Sequence, residues 1–375
     1  MPRKPLGRAI WVMTLLIALA LAAWMRLSAV RRLTVDIDET IYLPLAYRYG
    51  EMMAPGRWGE ILSFRENLEH PPLVKLIYAL QLRTGHTPEP NWNRVHWGTV
   101  VPRDNRAAFW GPRTVTAVGG ILQVLVTGIA NPVGAVLLAI DTYHVKYTAE
   151  AYLEGIPGLF AVLAVLLFEL ATPRGKEGEG RQVRPALLLL SAAALGLAAA
   201  GKYPYALVGL VLLPFLVIYG YRRWPLILAC AGVALAVFLL ANPFLWPNPP
   251  GRLWQAFLFH LDYTRSAPVR SAEFPWWQPF EWLTRPAPLE WNPGVFHTHL
   301  ADLLILPFAA VGLPWTVRRR PVWAAWAVAG LLFLVLWPTR WPQYTLLILP
   351  ALAVCAGVGI EETVRGWWRA WRRDG

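Results

Sequence analysis

Charged side chains are scarce in this sequence: 15% of 375 residues, against 56% apolar residues and a mean hydropathy of +0.39. A soluble protein of this size needs more polar surface, so the composition points to a membrane protein. Cysteine is almost absent. Cys230 and Cys355 both lie inside apolar runs, which excludes a disulfide framework and a thiolate metal site and leaves two small buried residues. Lysine is rare beside arginine, so the net charge of +12 comes mostly from a group that stays protonated and forks onto phosphate. That excess sits in short clusters between apolar runs, the pattern of membrane loops under the positive-inside bias rather than of a nucleic-acid surface. Phosphate-cradling glycine loops and nucleophile elbows are missing, which argues against soluble nucleotide chemistry. No internal repeat of the transporter kind is visible.

What the chain has in quantity is apolar runs and tryptophan. Many of the 21 tryptophans stand beside Pro or Arg at the ends of apolar runs, as in interfacial aromatic belts. The run after MPRKPLGR approaches the ~20 residues that span a bilayer and is too long for a signal peptide, so it reads as an uncleaved first helix. Further spans are expected at 112–130, 132–147, 150–171, 185–201, 204–221, 225–242, 299–317, 321–337 and 342–361, giving about ten transmembrane helices in one all-α polytopic domain over 1–375. The span at 132–147 is short and expected to be tilted or partly inserted. Basic clusters follow alternate spans: Arg174, Lys176, Arg181 and Arg184, then Arg222 and Arg223, then Arg318 to Arg320, then the tail. All fall on the cytoplasmic side if both termini are cytoplasmic. Arg31 and Arg32 run against this bias.

Two long stretches then lie outside, 31–111 and 242–298. In the first, Ile41, Leu45, Tyr49 and Met52, and later Leu73, Leu76, Ile77 and Leu80, recur at helical spacing. They predict two helices lying in the membrane interface, with Pro71 and Pro72 in the first turn of the second. Thr87–Arg113 reads as loop. The second stretch is aromatic-rich and carries an interfacial helix marked by Trp254, Phe257, Leu258 and Leu261. Loops this long are usually functional.

Candidate chemistry concentrates on the outer side. Asp38 and Glu39 are adjacent carboxylates near lipid, where pKa values can be driven apart to leave one as a base; Asp38 as a plain helix N-cap is the competing reading. Arg113, Lys146, Lys202 and Arg340 stand at outer span ends, explained together by a shared anionic ligand or singly by snorkelling. His70 precedes two prolines. His297 and His299, with Glu281 and Glu290, are weak grounds for a metal, and a metal is not favoured.

These residues carry a resemblance. The Asp38-Glu39 pair, His70-Pro71-Pro72-Leu73-Val74-Lys75-Leu76 (similar to His-Pro-Pro-Leu-Gly-Lys-Leu), Arg113, Lys202 in LGLAAAGKYPYALVGL, and Arg340 with Tyr344 in TRWPQYTLLILPALAV resemble the membrane-embedded GT-C glycosyltransferases, in particular the protein O-mannosyltransferase and aminoarabinose-transferase superfamily. Val74 replaces the glycine, the turn at Lys146 offers either Glu150 or Glu154 as the family's acidic residue, and there is no room for the soluble outer domains of eukaryotic members. The resemblance implies sugar transfer from a polyprenyl-phosphate donor to a hydroxyl of a protein, lipid or glycan acceptor, at the outer face of the plasma or inner membrane, without a cofactor. Asp38 is then the general base and Glu39 orients the acceptor. Arg113, Lys202 and Arg340 meet the phosphate, while His70, Lys75, Lys146, Glu150, Glu154 and Tyr344 line the substrate site. A transporter or lipid-linked sugar flippase is the rival reading. It requires ionisable residues near mid-span, whereas here they gather at the outer ends.

Overall fold

The structure is a computed structural model and describes residues 5–173, 183–220, 223–291, 294–296 and 300–374. Arg174, Lys176, Arg181, Arg222, His297 and His299 lie outside the described residues, as does the side chain of Glu290. Among the described residues there are helices and no strands. The first apolar run forms α1 (Pro5–Arg32). A group of shorter helices follows, α2 (Glu39–Met52), α3 (Trp58–Ser63) and α4 (Leu73–Thr84), before the chain re-enters the bundle as α5 (Arg106–Ala130), α6 (Pro132–Ile140), α7 (Thr142–Tyr147), α8 (Gly155–Ala171), α9 (Pro185–Gly201), α10 (Leu207–Gly220) and α11 (Trp224–Leu240). The second long loop holds α12 (Pro249–Tyr263), α13 (Ala267–Ala272) and α14 (Gln278–Trp282). The bundle is completed by α15 (Leu300–Arg319), α16 (Pro321–Leu336) and α17 (Leu349–Asp374). Three helices, Gly7–Arg32, Arg103–Ala130 and Leu300–Arg319, are long and apolar enough to cross a membrane alone; shorter apolar helices lie between them.

Several expected boundaries shift. The 132–147 span breaks at Asp141, whose extended backbone separates α6 from α7 and whose Oδ1 caps α7 by accepting from the His144 amide at 2.8 Å. Helix α5 begins at Arg106: its first turns (RAAFW) are largely apolar and bury Ala108 and Phe109, and Pro112 is accommodated inside it, so Arg113 sits inside the helix and not at its head. Pro72 occupies the N-cap of α4. Residues 342–347 are 3₁₀ helix, and α17 runs on well past 361.

The two interfacial patterns become helices that pack on one another. Leu45, Tyr49 and Met52 are buried on α2, but Ile41 and Leu80 stay exposed, as expected for sides that face lipid. The opposite side of α4, with Val74, Tyr78 and Leu82, joins Val35, Tyr42, Leu43, Ala46, Val101 and Phe109 in a core of its own. This cap core lies on the bundle core, so the first long loop is a folded layer.

Helix α17 is packed among α6, α15 and α16. Glycines let it approach so closely: a Cβ on Gly312 of α15 would run into the Cys355 carbonyl and Gly359, and one on Gly357 would run into Asn131 and Gly134. This is small-residue packing of the kind that joins helices in membranes. Alternating helix direction puts Arg184, Arg223, Arg318 to Arg320 and the tail of α17 at one end of the bundle, with both long loops at the other. Gly359→Leu is expected to lose about 1–3 kcal/mol of stability by overpacking. Gly232→Leu, where nothing lies within 4 Å of the added Cβ, is expected to leave thermal unfolding in detergent unchanged.

Candidate functional site

Neighbouring residues at the start of a helix point in different directions, and this separates the two carboxylates that the sequence pairs. Glu39 turns inward and is fully buried. Arg113 grips it with a fork, Nε to Oε1 at 2.7 Å and Nη2 to Oε2 at 2.6 Å. Oε1 also accepts the Ala151 amide at 2.8 Å, and Oε2 the Asp36 amide at 3.1 Å. The remaining donors of Arg113 go to the carbonyls of Val30 (3.2 Å), Leu33 (2.8 Å) and Thr34 (2.7 Å). Arg113, expected to face a substrate phosphate, thus has protein acceptors for all of its nitrogens, and Glu39, expected to orient an acceptor, has donors on both oxygens.

Asp38 stands at the N-cap position of α2, but its side chain makes no capping bond. It remains partly accessible and is directed toward Tyr152, Lys202 and Glu154. Burial, then the charge of Asp36, push its carboxyl up to about 7, with Lys202 pulling the other way. Asp36, two residues before it, has the opposite fate. Burial would raise it, but Lys146, the Tyr152 hydroxyl and the Asp38 amide outweigh that and hold it below the ordinary carboxylate value. The bonds are Lys146 Nζ to Oδ2 at 2.6 Å, Tyr152 OH to Oδ1 at 2.6 Å and the Asp38 amide to Oδ1 at 3.2 Å. Two carboxylates with pKa values driven apart divide the base and spectator roles.

The cations are paired within the chain. Lys146 bridges Asp36 and Glu150 (2.7 Å) and lies over the rings of Tyr147, Tyr152 and Trp291 at 4.5, 5.6 and 5.2 Å. Lys202 pairs with Glu154 and stands 5.3 Å from the Tyr344 ring centre. Glu150 and Glu154 therefore serve different lysines. Arg340 donates to the Phe274 and Pro338 carbonyls at 3.1 and 3.4 Å and lines a cleft of about 200 Å³ with Arg270 and Trp341. Among the described residues no hydrogen bond or ion pair joins it to Asp38 or Lys202. Asp38 is the one acid of this cluster without a salt bridge among the described residues.

The His-Pro-Pro turn is set from below. Buried Lys75 donates to Asn67 Oδ1 (2.7 Å), the Asn67 carbonyl (3.2 Å) and the His70 carbonyl (3.0 Å), and burial lowers it to about 7. It holds the turn. His70 packs edge-on against Tyr42 and His260 at 5.9 and 6.0 Å between centroids. Burial, then Lys202 and Lys75, hold it neutral, and its Nδ1 is buried with no hydrogen-bond partner. The second long loop closes over this region: His260 Nε2 meets the Glu69 carbonyl at 3.1 Å, Thr34 donates to the Trp291 carbonyl at 3.3 Å, and Trp282 Nε1 donates to the Arg340 carbonyl at 2.9 Å.

Asp36, Tyr152, Tyr42 and His260 escape a reading of the sequence. Asp36 carries a signal in hindsight, the alternation Asp36-Ile37-Asp38, but the others are aromatic residues in aromatic-rich segments. Also unread is a buried polar brace under the turn that carries Lys146 to Glu154. Arg26 donates to Thr148 Oγ1 at 2.9 Å and to the Ala139 carbonyl at 3.0 Å, and it pairs with His144, which meets Gln123 at 3.1 Å. Thr142 donates its amide and hydroxyl to Asp302 at 3.0 and 2.8 Å. Among the described residues no group of three or more His, Cys, Asp or Glu is arranged to hold a metal ion.

No family model matches the sequence, and no curated protein sequence matches it. Solved structures do. ArnT from Cupriavidus metallidurans bound to undecaprenyl phosphate is 19% identical with a TM-score of 0.55, over 96% of this chain and 61% of that one. Its apo state is 20% identical with a TM-score of 0.55, over 97% and 62%. The apo Archaeoglobus fulgidus oligosaccharyltransferase is 15% identical with a TM-score of 0.56, over 97% and 52%. The chain thus spans less than two thirds of the length of each. Its fold is the all-α fold of these solved structures, in keeping with the all-α polytopic architecture expected from the sequence.

Glu39→Gln is expected to cost about 3–5 kcal/mol, since it leaves Arg113 buried without its counter-charge. Adding Arg113→Met should recover part of that loss in a double-mutant cycle followed by unfolding in detergent. Simple additivity would show that the pair does not act as one unit.

Proposed function

We propose that this chain is a GT-C glycosyltransferase that moves a sugar from a polyprenyl-phosphate donor to an acceptor hydroxyl of a protein, lipid or glycan, on the extracytoplasmic side of the plasma or inner membrane. One observation carries the reading: among the described residues Asp38 makes neither a helix cap nor a salt bridge, and its carboxyl is raised to about 7 beside the Glu154–Lys202 pair. A cap would have oriented the side chain to the α2 amides. The fold supports the donor class, since one solved neighbour carries undecaprenyl phosphate.

In this reading Asp38 takes the acceptor hydroxyl proton as that oxygen bonds to the anomeric carbon. The bond from that carbon to the phosphate oxygen breaks on the opposite face, its electron pair leaves with the lipid phosphate, and the configuration inverts. Base catalysis of this kind contributes ~10²–10⁴ in rate. Lys202, and Arg340 from the following turns, stabilise the charge that grows on the phosphate. His70, through its bare Nδ1, and Tyr344 meet sugar hydroxyls. Lys146 and the Tyr152 hydroxyl hold Asp36 charged, which keeps Asp38 basic, and Glu150 fixes Lys146 in place. Glu39, Arg113 and Lys75 are positioning residues. Fixed cations meet the phosphate charge, so the step needs no metal or other cofactor. The transporter reading is disfavoured because the ionisable groups gather at the loop-bearing end of the bundle.

Asp38→Asn in purified protein is expected to lower sugar transfer from polyprenyl-phosphate donors by about 100-fold or more; near-normal turnover would overturn the assignment. Because the base must be unprotonated, transfer should fall as pH falls through about 7, and this limb should be absent from the residual rate of Asp38→Asn. Lys202→Ala should weaken donor binding more than acceptor binding. Equal donor affinity in the variant removes Lys202 from the phosphate site.

A further inference from the structure

The C-terminal part of α17, residues 363–374, has no place in the bundle. Residues up to Val358 are buried, whereas Val364, Trp367, Trp368 and Trp371 are 58, 65, 45 and 59% exposed. At 100° per residue these four fall on one face of the helix. Arg365, Arg369 and Arg372 lie on the adjoining face. Arg365 is taken by Glu361 and Glu362. Arg369 bonds only the Arg365 carbonyl, and Arg372 lies 5.1 Å over the Trp368 ring; among the described residues neither meets a carboxylate.

We infer that residues 363–374 form a foot that lies along an anionic lipid surface, at the end of the bundle opposite the site. Three observations favour lipid as the occupant. The stripe is rich in tryptophan, whose ring suits the boundary between headgroup and acyl chain. Cations beside it match anionic headgroups, each worth a severalfold gain in affinity near such a surface. The foot is also continuous with a helix already packed in the membrane bundle, so a bilayer is always within reach. Kept straight, α17 would carry Trp371 ~15 Å beyond Glu361 at 1.5 Å per residue. Gly366 stands between, has open space where a Cβ would be, and is the weakest helix former in the segment. The helix is continuous over Leu349–Asp374, and Gly366 is where it would bend for the foot to lie flat on the surface.

The test is hydrogen exchange on the full chain in nanodiscs of phosphatidylcholine alone and of phosphatidylcholine with phosphatidylglycerol. The amides of 363–374 are expected to exchange on the order of tenfold more slowly in the anionic discs. Arg369→Gln with Arg372→Gln should abolish that difference while exchange in α5 stays as in the parent, which shows that the bundle is intact. Equal exchange in the two discs overturns the proposal. So does protection that appears only when two copies share a disc, which would make the occupant a second chain.

Discussion

The pairing of Glu39 with Arg113 is the constraint on which the loop-bearing end of the molecule depends. Five elements meet at it: the end of α1 through the Val30, Leu33 and Thr34 carbonyls, the Asp36 amide, the first turn of α2, the middle of α5, and the Ala151 amide of the turn before α8. A charge pair this deep is retained only when nearly every donor and acceptor is met, and here each oxygen of Glu39 and each nitrogen of Arg113 is. The pair does not react in the proposed chemistry. It fixes where Asp38 begins and therefore where its side chain can go.

Around it the charges form a sequence of filled seats. Asp36, Lys146 and Glu150 make one chain of contacts, and Glu154 with Lys202 another, with the Tyr152 hydroxyl bonded to Asp36 and set beside Asp38. Asp38 lies between the two groups. Its raised pKa is thus a property of its neighbours, since the low-pKa carboxylate next door takes the lysine and leaves Asp38 the desolvation. The brace of Arg26, His144 and Gln123 beneath the turn keeps Lys146, Glu150, Tyr152 and Glu154 in register.

The sequence made much of this legible, for reasons that differ by residue. Apolar runs and basic clusters gave the bundle and the common end of its loops, because length and hydropathy are local properties. Asp38 and Lys202 could be singled out because charge at a span end is costly and so informative. The pairing of cations with carboxylates was not legible: Arg113 and Glu39 are 74 positions apart, Lys146 and Asp36 110, and no local pattern records such meetings. The carboxylates that Arg113, Lys146 and Lys202 meet within the chain were therefore not foreseen. The start of α5 was misplaced for a simpler reason: Pro112, where the span was expected to open, sits inside the helix.

The seat of Lys202 has a consequence for proton traffic. An ammonium group has one charge to give, and at rest it gives it to Glu154, which has no other ion pair among the described residues. Glu154 Oε2 is already buried without a hydrogen-bond partner. A phosphate that draws Lys202 toward itself would leave Glu154 a buried anion without a counter-ion, a state relieved by taking up a proton. If the donor proposed above binds here, its arrival is an exchange of counter-ions in which the protein's own carboxylate steps down to the neutral acid, and donor affinity is coupled to the acidity of the surroundings.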